Sequence, residues 1–100
     1  MEIVDYIPRG HNNGIHRKEL QQLTGLTDSV IRDLISRHNA SGQEIICNIG
    51  DGQGYFLADQ GEEDYQVQCI AIERSRANKI LEKVDGMKRY LLSVGAVQYE

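Results

Sequence analysis

The chain has 100 residues, 40% of them hydrophobic and 26% charged, with one proline. That composition is of a globular protein, not a disordered one, and the length suits one small domain with an appendage. A net charge of -4 and a pI near 5.3 exclude a general nucleic-acid coater, so any DNA-binding face must come from placement.

Residues 1–7 hold Ile3, Val4, Tyr6 and Ile7 and predict a short first helix, with a strand as the alternative; Pro8 stops the segment. Residues 9–14 form a polar turn, and Gly14-Ile15 can add a short strand to a sheet. A second helix is expected over 16–24, burying Leu20 and Leu23, with Ile15 packed at its start. Gly25 is suited to the positive φ of a helix C-terminus, Leu26 to tucking beneath both helices, and Thr27 to capping the next one. That third helix is expected over 28–39. Val30, Ile31, Leu34 and Ile35 form its apolar stripe, and Asp28, Ser29, Arg32, Asp33, Ser36 and Arg37 face outward.

Residues 44–49 and 54–58 read as two strands around a glycine-rich tip, Gly50-Asp51-Gly52-Gln53-Gly54. A strand follows this tip where a phosphate loop requires a helix, so it is no nucleotide cradle. The acidic residues 59–64 lead into a long helix over 62–92, about 45 Å if unbroken. Ile70, Ala77, Ile80, Leu81, Val84, Met87 and Leu91 lie on one stripe. Tyr65, Cys69 and Ile72 lie on another. Two apolar faces need two covering surfaces: the preceding domain and a second chain. Gly86 is a place for the helix to kink or end. The expected fold class is α+β: a winged helix-turn-helix over 1–58 (three-helix core plus β-hairpin wing), a long helix over 59–92 as dimerisation element, and a tail over 93–100.

Charge gives no help when divided at the expected boundary. Residues 1–58 carry five Lys/Arg and seven Asp/Glu, residues 59–100 six and eight. The two cysteines, Cys47 and Cys69, lack CxxC spacing and read as reduced thiols. With no secretory signal and no apolar run long enough for a membrane span, the expected location is the cytoplasm.

The order of elements places the N-terminal half of helix 28–39 where helix-turn-helix proteins enter the major groove. Thr27, Ser29 and Arg32 are the candidates for base readout, since arginine bidentate to guanine is the commonest specific contact. Arg17, Lys18, Arg37 and His38, with Gln53 at the wing tip, are candidates for the phosphate backbone. Tyr65, Cys69, Ile72, Ile80, Val84 and Met87 are the candidate dimer contacts. His11, His16, His38 and Cys47 have no zinc-like spacing, so no metal is expected. No nucleophile–base arrangement is legible, and neither catalysis nor a cofactor is expected.

Several pieces together resemble a known group. They are Tyr6-Ile7-Pro8-Arg9-Gly10, Glu19-Leu20, Leu23-Thr24-Gly25-Leu26-Thr27-Asp28, Val30-Ile31-Arg32, Ile45-Ile46 and Gly54-Tyr55-Phe56-Leu57. Ser75-Arg76-Ala77 and Ile80-Leu81 follow. Over about residues 3–91 the chain is similar to small winged-helix proteins encoded by phages and prophages. The resemblance implies double-stranded DNA binding in phage replication initiation or transcriptional control. Where members of the group have a more basic third helix and following loop, this chain has Asp33 and Ser36-Arg37-His38-Asn39-Ala40. The expected partners are double-stranded DNA and a second copy, with no membrane and no small-molecule substrate. The alternative is a winged helix used as a protein-interaction module, which suits the acidic balance.

Overall fold

The computed structural model describes residues 2–95. Among the described residues the architecture is α+β, with three α-helices and a small antiparallel sheet. Helix α1 is Arg17–Thr24 and α2 is Asp28–Ala40. Strands β1 (Ile46–Cys47) and β2 (Phe56–Leu57) follow, then α3, Glu63–Ser93. Two 3-10 turns, Ile3–Tyr6 and His11–Asn13, precede α1. The chain separates into two compact units, Met1–Cys69 and Ile70–Glu100.

The first segment is a 3-10 turn, not the expected α-helix. Pro8 leaves too little chain for a second turn, and Ile3 and Ile7 reach the core without one. The Gly25 φ of +72° ends α1, and its N–H bonds the Gln21 carbonyl at 2.8 Å. The Thr24 hydroxyl donates to Leu20 O (2.7 Å) and accepts from Leu26 N (3.2 Å), tying the helix end to the turn. Thr27 then caps α2, its Oγ1 accepting from Val30 N at 3.3 Å.

Ile46 pairs with Leu57 and Cys47 with Phe56. The twofold alternation of a strand sends the two pairs to different places. Ile46 and Leu57 join Ile3, Ile7, Ile15, Leu20, Ile31 and Ile35 in the main core. Cys47 and Phe56 join Cys69, with Tyr65 packed against them, in a second cluster. On its other edge the β2 segment is met by Ile15, which exchanges two backbone hydrogen bonds with Tyr55 (2.8 and 2.9 Å), and by Pro8–Gly10. This approach requires glycine twice. A Cβ on Gly14 would overlap the Gln53 carbonyl, and one on Gly54, at φ +84°, would overlap that of Ile15.

Three expected core residues are corrected. Leu23 is 60% exposed, Leu26 37% and Val30 43%. The helical stripe is wider than the surfaces facing it: Leu20 and Ile31 fill the α1–α2 contact, and these three lie beyond its edge. Gly86 does not end α3, which continues to Ser93. Of the expected tail, residues 96–100 lie outside the described residues. Among the described residues no helix is long and apolar enough to cross a membrane.

Asn39 ends this construction in a way its residue type does not announce. Its side-chain amide donates to Ile46 O (3.1 Å) and accepts from Ile46 N (2.9 Å), pairing with β1 as a neighbouring strand would. Each such bond contributes about 0.5–1.5 kcal/mol. Asn39→Ala is therefore expected to lower stability by about 1–3 kcal/mol from its two bonds, read from the urea midpoint.

Candidate nucleic-acid interface

The α1–turn–α2 segment brings together most of the residues expected to meet DNA. Arg17 and Lys18 open α1, and Ser29, Arg32 and Arg37 lie along the exposed side of α2. Their charges are not unopposed. Asp28 Oδ2 stands 3.1 Å from Arg32 Nε and 3.6 Å from Arg17 Nη1, and Asp33 pairs with Arg37 at 2.9 Å. Asp28 Oδ1 is buried and has no hydrogen-bond partner, which leaves that carboxylate under-satisfied.

The magnitudes decide what these pairs can do. The three arginine side chains are 65–76% exposed. Exposed pairs contribute about 0–1 kcal/mol, whereas a bidentate arginine–guanine contact contributes about 1–3 kcal/mol of discrimination. The pair with Asp28 is therefore too weak to commit Arg32 to that carboxylate. Thr27 is exposed, but its hydroxyl oxygen already accepts the α2 cap bond.

His38 is a correction. It is buried, and its Nε2 lies 2.7 Å from the Glu44 carbonyl, so it holds the chain after α2 and does not face a phosphate. Gln53 is half-buried, its carbonyl against Gly14 and its N–H on Asp51 Oδ1 (3.1 Å). The wing tip is pinned through Asp51, whose Oδ2 lies 2.6 Å from His11 Nε2. The His11 ring stacks on Tyr65 (4.3 Å between centroids) and lies nearly perpendicular to that of Phe56.

This hydrogen bond from His11, together with the Gln53 N–H, holds the Asp51 carboxyl below its ordinary range. A depressed carboxylate pKa stabilises the fold above the unfolded value, about 3.9, and that contribution is lost as pH falls through the folded value. Glu44 behaves likewise, since Arg9 grips it with two hydrogen bonds of 2.7 and 2.9 Å. Amide exchange at Gly50–Gln53, after allowing for intrinsic rates, is expected to accelerate below about pH 4, where Asp51 loses its charge. Equal protection at pH 3 and pH 6 would contradict the Asp51 pin.

Two expected dimer contacts are also corrected. Tyr65 and Cys69 pack within the first unit, against His11, Phe56 and Cys47. Both cysteines are free thiols, and a hydrogen bond to Cys69 together with burial pushes the Cys47 pKa far up, keeping it protonated. Ile72 is half-buried, while Ile80, Val84 and Met87 are exposed. Sequence reasoning missed Arg9, which clamps Glu44 and donates to the Ala58 carbonyl (2.8 Å), because its partners lie far along the chain. Among the described residues no group of three His, Cys, Asp or Glu could hold a metal ion.

The division into units exposes a polarity that the earlier boundary hid. Residues 1–69 carry five Lys/Arg and eleven Asp/Glu, residues 70–100 six and four. Within the first unit the α1–turn–α2 segment, 17–40, holds four Lys/Arg and three Asp/Glu, so its acids lie mainly elsewhere. No protein-family model, curated protein or solved structure matches this chain.

Proposed function

We propose that residues 1–58 form a winged helix-turn-helix that binds double-stranded DNA, with the N-terminal half of α2 in the major groove. The observation that carries this reading is the local charge. Segment 17–40 is net positive by one inside a unit that is net negative by six, and it displays Ser29 and Arg32 at its surface. Arg32 reads a base edge, Arg17, Lys18 and Arg37 position the backbone, and Asp28 and Asp33 restrain non-specific binding by competing for the arginines. The role is binding, without catalysis. The resemblance to phage and prophage proteins supports a place in replication initiation or transcriptional control.

The test is affinity for duplex DNA as a function of salt. Two to four phosphate contacts predict a slope of log K against log salt of about -2 to -4. Absence of binding at low salt would overturn the proposal. The second reading, a protein-docking winged helix, draws on the exposed Leu23, Leu26 and Val30 beside the α1–α2 turn. It predicts no DNA binding at low salt.

A further inference from the structure

The second half of α3 carries an apolar seam that no contact of its own unit covers. Ile80 is 58% exposed, Met87 62% and Val84 36%. Counting heptads from Ile70 puts Ile70, Ala77, Val84 and Leu91 at position a, and Ile80, Met87 and Val94 at d; Glu73 is the exception. This is the pattern of a helix built to pair with another helix.

The residues beside the seam say which kind of helix. Every charged residue at e and g is a cation: Arg74 and Lys88 at e, Arg76 and Lys83 at g. Of the acids, Glu82 and Asp85 fall at f and b, away from the seam, while Glu73 lies in it at d and pairs with Arg76 at 3.0 Å, so the seam and its flanks carry cations without acids only in the later turns. Pairing with a second copy is opposed in either direction. A parallel pair sets Lys83 against Lys88, and an antiparallel pair sets e against e and g against g, again bringing cations together. The seam residues Met87 and Leu91, with Lys83, Gly86 and Tyr90, line a shallow open hollow.

We propose that residues 70–94 are a docking strip for an acidic amphipathic helix of another protein. Its apolar face fills the seam, and its Glu or Asp side chains meet Arg74, Arg76, Lys83 and Lys88. This partner site is separate from the DNA reading and survives that reading's failure.

The probe is a synthetic 21-residue helix with Leu at a and d and Glu at e and g, titrated into the full chain without DNA. A second peptide with Lys at e and g is the control. The acidic peptide is expected to bind at least tenfold tighter than the basic one, and to weaken as salt rises. Lys83→Glu with Lys88→Glu, both exposed positions, is expected to reduce or reverse that preference while helicity is retained by circular dichroism. Equal binding of the two peptides, or of neither, overturns the proposal. So does a stable homodimer in sedimentation that Val84→Asp disrupts, since the occupant is then a second copy.

Discussion

Replacing Phe56 with alanine is expected to destabilise the protein by about 3–5 kcal/mol, the usual range for a buried aromatic truncated to alanine. Phe56 is fully buried and has the largest side chain among those with no exposure. Its ring packs nearly perpendicular to those of His11 and Tyr65, with centroids 5.1 and 5.6 Å away. The cluster around it is small, and its other buried members are the two cysteines, which are too short to collapse into the space left behind. A domain of this size has a total stability of about 5–15 kcal/mol, so the loss is a large fraction of the whole. The urea midpoint should fall sharply, and protection of the first turns of α3, where Tyr65 sits, should fall with it. Phe56→Leu keeps most of the volume and should cost roughly half as much or less. A loss under about 1 kcal/mol for Phe56→Ala would mean that the second cluster does not hold β2 to α3.

The second large effect is functional and has opposite signs at two neighbouring residues. Arg32→Ala is expected to weaken binding to a selected duplex by about 1–3 kcal/mol, or roughly 5- to 150-fold, and to relax preference at one base position. Asp28→Asn should tighten non-specific binding and steepen its salt dependence by about one to two units, because Arg17 and Arg32 lose the carboxylate that both of them face. Thr27 continues to cap α2 in that variant, so the change is electrostatic rather than a loss of helix. Equal responses of the two variants would remove the argument that Asp28 restrains the arginines.

The three α-helices were legible in the sequence to within one or two residues, because the apolar period and the cap chemistry at Gly25 and Thr27 are local signals. The paired part of each strand is only two residues long, shorter than residues 44–49 and 54–58 suggest. On the edge of β1 away from β2, the Asn39 side chain takes the backbone N–H and C=O of Ile46, a contact the helical pattern of residues 28–39 does not announce. His38 and Tyr65 were misread for a common reason: each is held by a partner that only folding brings near, the Glu44 carbonyl and the His11 ring. Leu23, Leu26 and Val30 show the limit of a periodic stripe, which tells which side of a helix is apolar but not how wide the facing surface is. The pieces on which the family resemblance rests are largely scaffold. Pro8 and Gly10 bond Leu57, Arg9 clamps Glu44, and Gly54 makes room for Ile15. They speak to architecture more than to DNA, and the candidate interface rests instead on charge placement along α1 and α2.

The most direct test of that interface is amide mapping by NMR as a duplex selected from a random pool is added to the full chain. Shift changes are expected to concentrate at Arg17, Lys18, Ser29 and Arg32, with smaller ones near Arg37 and little change along residues 77–93 of α3. Perturbations confined to α3, or absent from α2 while the duplex is bound, would contradict that interface.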